Sequence, residues 1–237
     1  MLRTLLLSLL IAVPVAAQNP LRQTVAEGVR SMAWKIETEG VSMCCCEGES
    51  WTTRDDRYRI EHRDILLVAQ MTDRRVTKLR MLEPSCPVKV DRFVTVTNEQ
   101  SLNFLLEEMR GNEREEKFIV AIAMHDHPRT VPELIQLARN HKDSDVRRQA
   151  IFWLGQKAGD KAAGELRRAV DEDPDDDVRQ HAVFAISQLP PERSVPLLIE
   201  LVKTHKRPAI RKRAMFWLAQ TGDQRALDLI EEILGVR

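Results

Sequence analysis

The side chains with the most chemical potential are four cysteines, three of them consecutive (Cys44, Cys45, Cys46) and the fourth alone at Cys86. Thiolates can hold a soft metal, cycle between redox states or close a disulfide. Spacing separates these chemistries. Zinc ligands are normally two to four residues apart, which a C-C-C run is not. Adjacent cysteines also bridge each other badly, because a disulfide needs Cα atoms about 4.4–6.8 Å apart with fixed torsions. The pattern favours one structural bridge from the triplet to Cys86, with Cys45 the first choice. A metal- or redox-active cluster of Cys44, Cys45, Cys46 and Cys86 is the alternative.

Other polar groups point to structure rather than catalysis. His125-Asp126-His127 lacks a third and fourth ligand and stands before Pro128, where polar residues end a helix. His141 and His205 occupy one repeat position near a helix C-terminus, where a cation suits the dipole. The acidic run from Asp171 to Asp177 lacks the glycine and terminal glutamate of a calcium loop, and reads as a capping turn. No nucleophile elbow, phosphate loop, HExxH or paired-carboxylate site occurs. On these grounds the expectation is a protein that is not an enzyme and takes no cofactor.

What must position these groups is a repeat. Val146-Arg-Arg-Gln-Ala-Ile-Phe-Trp-Leu-Gly-Gln156 recurs 32 residues later from Val178 to Gln188, and again from Ile210 to Gln220. A second apolar pattern precedes each copy. Leu134, Leu166, Leu198 and Ile230 share the 32-residue period, as do Leu137, Ala169, Leu201 and Ile233. Apolar steps of three and four within each copy mean two helices per unit, buried only against neighbouring units. Thr130 with Glu133 reads as a capping box, and Asp145 and Asp177 as caps of the second helix. Leu102, Leu105, Phe118 and Ile122 trace a degenerate first copy. Residues 227–234 supply a capping helix. The predicted fold is an all-α solenoid of about four helical hairpins over 98–237.

At 100° per residue, Val146, Ala150, Trp153 and Leu154 form the core side of the second helix. The opposite side carries Arg148, Phe152 and Gln156. The next copies place Gln180, Phe184 and Gln188 there, with His181, and then Lys212, Phe216 and Gln220, with Arg213. Stacking turns these into columns of Phe and Gln beside a polar-to-basic row, a composition suited to a partner interface. Arg147, Arg179 and Arg211 form a further row, read as pairing with Asp145 or Asp177.

The second-helix pattern V-R-x-x-A-x-F-x-[LI]-x-Q resembles HEAT-like repeats of the phycobilisome-lyase type. Its F-W-L-x-Q form, at 152–156 and 216–220, is similar to secreted bacterial HEAT-repeat proteins. The resemblance covers about 99–237. It implies second helices lining a concave surface, and a scaffold or adaptor that binds a protein or peptide. No bilin-handling residue can be matched, so the lyase activity is not carried over.

Upstream, residues 18–97 read as a small β-rich domain. Its strands are expected at Ser31–Thr38, Asp64–Met71, Val76–Leu82 and Asp91–Thr97, with Asp73-Arg74-Arg75 at hairpin distance. Residues 1–17 read as a signal peptide: Arg3, the apolar run Leu5–Val13, and the small residues Val15-Ala16-Ala17 before Gln18. The run is too short to span a bilayer, so no membrane span is expected after cleavage. The implied location is periplasmic or secreted. The 36 basic and 36 acidic side chains cancel, which argues against a general nucleic-acid partner.

Overall fold

The computed structural model describes residues 19–42, 61–110, 116–157 and 160–235. The chain divides into two compact units, Met1–Glu108 and Met109–Arg237.

In the first unit, α1 (Pro20–Ala26) opens under an Asn19 cap, whose side chain accepts the Leu21 N–H at 3.0 Å. Strands β1 (Ser31–Ser42), β2 (Glu61–Thr72), β3 (Arg75–Leu82) and the two-residue β4 (Arg92–Phe93) form one sheet in the order β3-β2-β1-β4. β1–β2 and β2–β3 run antiparallel, and β4 lies parallel to β1. The β2–β3 hairpin turns on Asp73 and Arg74 at φ 51° and 60°, the left-handed pair that matches strand twist. Three of the four expected strands appear where alternation placed them. The fourth shrinks to β4, and α1 was not expected.

Both faces of this sheet are covered, so Ile65 to Ala69 of β2 are buried in succession. On one face lies α2 (Asn98–Met109), where the Trp34 ring meets Phe104 edge-on at 5.7 Å and its Nε1–H donates to the Ser101 hydroxyl at 2.7 Å. On the other, Ala33, Leu66, Val68, Leu82 and Cys86 cluster, with Val88 and Val90 packed against them. Glu108 of α2 is fully buried and satisfied. It accepts the Val76 N–H at 2.9 Å and an ion pair from Arg22 of α1.

The second unit holds α3 (Glu116–Met124), α4 (Thr130–Asn140), α5 (Ser144–Lys157), α6 (Asp160–Glu172), α7 (Asp176–Ser187), α8 (Pro191–Thr204), α9 (Pro208–Ala219) and α10 (Gln224–Leu234). The hairpins α4–α5, α6–α7 and α8–α9 are the three repeats. Their shared core is the expected one: Leu134, Leu166 and Leu198 from the first helices, and Val146, Ala150, Leu154, Val178, Ala182, Ile186, Ile210, Ala214 and Leu218 from the second, all buried. The helix α10 follows as a half-repeat and leaves Leu227, Ile233 and Leu234 exposed.

Local chemistry departs from the sequence reading at the helix ends. Thr130 forms no capping box: its hydroxyl donates to the His125 carbonyl at 3.0 Å, and Glu133 pairs with Arg129. Helix α8 starts at Pro191, under Pro190, and keeps Pro196 inside it. The α7 cap is Asp175, which accepts from Asp177 N and Val178 N; before α5, Asp143 accepts from Asp145 N. Asp145 and Asp177 instead occupy the first turns, where a carboxylate still suits the dipole.

Candidate functional site

The second helices α5, α7 and α9 carry equivalent residues 32 apart, and the structure brings the Phe column together. Phe152 and Phe184 stack with centroids 6.3 Å apart and planes 12° from parallel. Phe184 meets Trp217 at 4.9 Å, Trp217 meets Phe216 at 5.0 Å, and at the other end Phe152 meets Trp153 at 5.2 Å. Five rings thus make one row across three helices. The row serves two purposes. Phe152 and Phe184 are half-buried and join repeat to repeat, whereas Phe216 is 52% exposed.

Trp153 and Trp217 correct the sequence reading. The helical wheel puts Trp153 on the core stripe with Val146, Ala150 and Leu154, yet it is half-buried and belongs to the aromatic row. A readable signal existed. The same repeat position holds Ala185 in the middle copy, and a closed core position does not accept Trp and Ala alike. One turn along, α5 and α7 come very close: a Cβ on Gly155 would stand 2.9 Å from the Ala185 carbonyl oxygen. The absent side chain permits the approach that stacks the two phenylalanines.

Polar residues of this face stand as follows. Gln156, Gln188, Gln220 and Lys212 are exposed, and Arg148 and Gln180 half-buried. Gln188 and Gln220 are the C-caps of α7 and α9. Arg148 pairs with Asp145 of its own first turn at 2.6 Å. The Arg213 guanidinium lies 5.8 Å from the Trp217 ring centroid, within cation–π range. His181 sits 5.4 Å from Phe184 and 6.3 Å from Phe152. Burial first, and the Arg148 and Arg213 charges next, hold the His181 imidazole below its ordinary range.

The Arg147, Arg179 and Arg211 row has a structural role, with partners other than those expected from sequence. Arg147 is nearly buried and bonds Asp173 of the next repeat through both Nε (2.9 Å) and Nη2 (3.0 Å). Its Nη1 donates to the His141 and Lys142 carbonyls. Arg211 repeats the carbonyl contacts on His205 and Lys206, and Arg179 bonds the Asp173 carbonyl and Asp176. Each arginine therefore clamps the turn of its own hairpin. Asp145 and Asp177 are not the partners: Asp145 pairs with Arg148, and Arg179 takes the neighbouring Asp176.

The histidines stand at helix ends and turns. His141 and His205 are the C-caps of α4 and α8, and their Nδ1 atoms accept the Asp143 and Arg207 N–H groups; His205 Nε2 also lies 3.4 Å from Asp171 Oδ1. His127 accepts the Arg129 N–H the same way. His125 is buried, its Nδ1 2.7 Å from the Ala121 carbonyl, and burial pushes its imidazole down to about 4 from 6.5. Between those two values the unfolded chain binds the proton and the folded chain does not, so stability falls as pH drops through that window. The loss attached to His125 should total about 3 kcal/mol. Urea unfolding of the native chain and of His125→Gln at several pH values should give a difference that is flat above neutrality and moves by about 3 kcal/mol against the native chain toward pH 4. A constant difference would remove the assignment.

Among the described residues no group of three or more His, Cys, Asp or Glu is placed to hold a metal ion. Cys44, Cys45 and Cys46, and the signal peptide expected at 1–17, lie outside the described residues. No described helix is long and apolar enough to cross a membrane.

With this geometry in place, comparison with known proteins adds three findings. The family model for HEAT repeats matches residues 102–186 and 165–236. No curated protein matches the chain. Among solved structures, it is similar to the complex of CpcE and CpcF of phycocyanin lyase from Nostoc sp. PCC7120, at 18% identity and a TM-score of 0.42, over 57% of this chain and 89% of that one. That finding corrects one expectation. Helical repeats of this type occur in a protein named as a lyase, so the lack of a familiar catalytic motif does not make this chain a non-enzyme; at that similarity, the match assigns it no activity either. The repeat match spans more than half of the chain, and the protein belongs to the HEAT-repeat family.

Proposed function

We propose that this protein is an exported scaffold that holds a protein or peptide along the concave face of its second helices. HEAT repeats commonly mediate protein interaction, and the family membership carries the coarser half of this reading. The observation that carries the finer half is the row of five rings across α5, α7 and α9, with Phe216 more than half exposed at its end. Binding hot spots favour such rigid aromatics beside arginine. Arg148, Phe152, Gln156, Gln180, Phe184, Gln188, Lys212, Phe216 and Gln220 form the contact set. Export rests on Arg3, the apolar run Leu5–Val13 and the small residues before Gln18. A bridge from the cysteine triplet to Cys86 fits that compartment; Cys86 is buried and disulfide-bonded, which supports it.

The test is affinity capture with the mature protein from the periplasmic or extracellular fraction, alongside Phe216→Ala. The variant should keep its melting temperature, since its ring is exposed, and bind the captured partner about 30-fold more weakly, the equivalent of about 2 kcal/mol. Undiminished capture by both Phe216→Ala and Phe184→Ala would place binding elsewhere.

A further inference from the structure

The charges around the aromatic row are one-sided. The chain as a whole balances its acidic and basic side chains. At the repeat positions flanking the row stand Arg148, Gln180 and Lys212, then Gln149, His181 and Arg213. None is acidic. The only carboxylates on these three helices are Asp145 of α5 and Asp176 and Asp177 of α7, all in first turns, and α9 has none. Asp145 answers Arg148, while Asp176 is taken by Arg179 and Arg207. Among the described residues, Lys212 and Arg213 have no carboxylate at ion-pair distance, and Arg213 rests on the Trp217 ring. Cations left beside an apolar strip attract a partner of opposite charge and set its register.

We propose that the segment bound on this face is an extended acidic peptide, its apolar side chains on the Phe152–Phe184–Phe216 row and its carboxylates against Lys212 and Arg213, with His181 and Arg148 farther along the same face. This rests on the scaffold reading above and adds the chemistry of the occupant. The glutamine column separates a peptide from a phosphate polymer. Gln156, Gln188 and Gln220 are exposed, and a carboxamide both donates and accepts, as a peptide backbone requires. Phosphates only accept, and they favour a continuous basic track rather than single cations one helix apart. Neighbouring helices pack about 8–10 Å apart, and an extended chain rises about 3.3 Å per residue. Apolar anchors in the occupant should therefore recur about every third residue, with Asp or Glu between them. His181 gives a private readout. It faces Arg148, itself paired with Asp145, from α5 and Arg213 from α9. A docked carboxylate opposes those two charges and favours the imidazolium, so the ring's midpoint should rise on binding.

The experiment uses the full mature chain and a fluorescent peptide of about 12 residues, long enough to cross three helices, with Phe or Leu at every third position and Glu between. A twin carries Gln for every Glu. The acidic peptide should bind at least about tenfold more tightly than its twin, by an amount that shrinks with added salt. Arg213→Gln should weaken the acidic peptide about fivefold or more and leave the twin unchanged. Phe216→Ala should weaken both. The His181 ring resonances should titrate at higher pH in the acidic complex. Equal binding of the two peptides, or no binding of the acidic one, overturns the charge inference; sensitivity to Phe216→Ala would then still leave the scaffold reading standing. Binding indifferent to both Phe216→Ala and Phe184→Ala sinks both. Displacement of the acidic peptide by a lower concentration of single-stranded oligothymidylate overturns the peptide in favour of a nucleic acid.

Discussion

Asp173→Ala should destabilise the repeat unit by about 3 kcal/mol, because it strands the nearly buried Arg147 guanidinium without its carboxylate. Asp173 holds several things at once. It takes Nε and Nη2 of Arg147 from the preceding repeat, and its Oδ1 accepts the Asp175 N–H of its own turn. Arg147 keeps two carbonyl acceptors after the substitution, so the loss stays at the lower end of what breaking a buried pair costs. The informative companion is the double variant Arg147→Met with Asp173→Leu. Replacing both partners by apolar groups of similar size removes the uncompensated charge, so most of the stability should return. Denaturant midpoints at constant slope would measure both. A double variant as weak as the single one would mean that the turn contacts, and not the ion pair, carry the junction.

Trp34→Ala should cost the sheet unit about 3–5 kcal/mol, the largest loss expected of any single truncation there. The indole is buried, edge-on to Phe104, with its N–H satisfied by Ser101. Truncation opens a cavity between β1 and α2 and leaves the Ser101 hydroxyl without its donor. Trp34→Phe keeps most of the volume and should lose about 1–2 kcal/mol, chiefly the hydrogen bond. Unfolding followed by Trp34-independent backbone signals separates the two variants. Equal losses would mean that the bond rather than the packing dominates.

The period of 32 made the second helices readable because each buried residue repeats in the same chemical role, as Leu154, Ile186 and Leu218 do. The same period exposed the Phe column, whose rings the structure does join. What could not be read follows from physics that a helical wheel does not contain. Trp153 and Trp217 straddle core and surface, and an angle alone cannot say which side an indole takes. In the acidic turns several aspartates compete for one cap. Only backbone geometry selects Asp143 and Asp175, each accepting the N–H two residues on, over Asp145 and Asp177. Arg147 finds Asp173 26 residues away, a pairing set by how hairpins stack rather than by local spacing. The helix α1 does carry a signal, Asn19 as cap before Pro20, but at seven residues it is too short for an apolar period to show. The echo of the repeat in Leu102 and Leu105 likewise says nothing of what α2 rests on; the compact unit that contains the sheet also contains α2.

The close approach at Gly155 means that the three hairpins are not interchangeable parts. Where α5 meets α7 the facing pair is Gly155 and Ala185; one period on, where α7 meets α9, the equivalent pair is Ser187 and Trp217. Suppose the chain gained a tandem duplicate of its middle hairpin. The new junction would bring a serine against the alanine carbonyl that at present leaves no room even for a Cβ. The helices would have to spread, and the stack of phenylalanines would open with them. Growth of this array by copying one unit is therefore sterically gated, and its length is written into the identity of each seam.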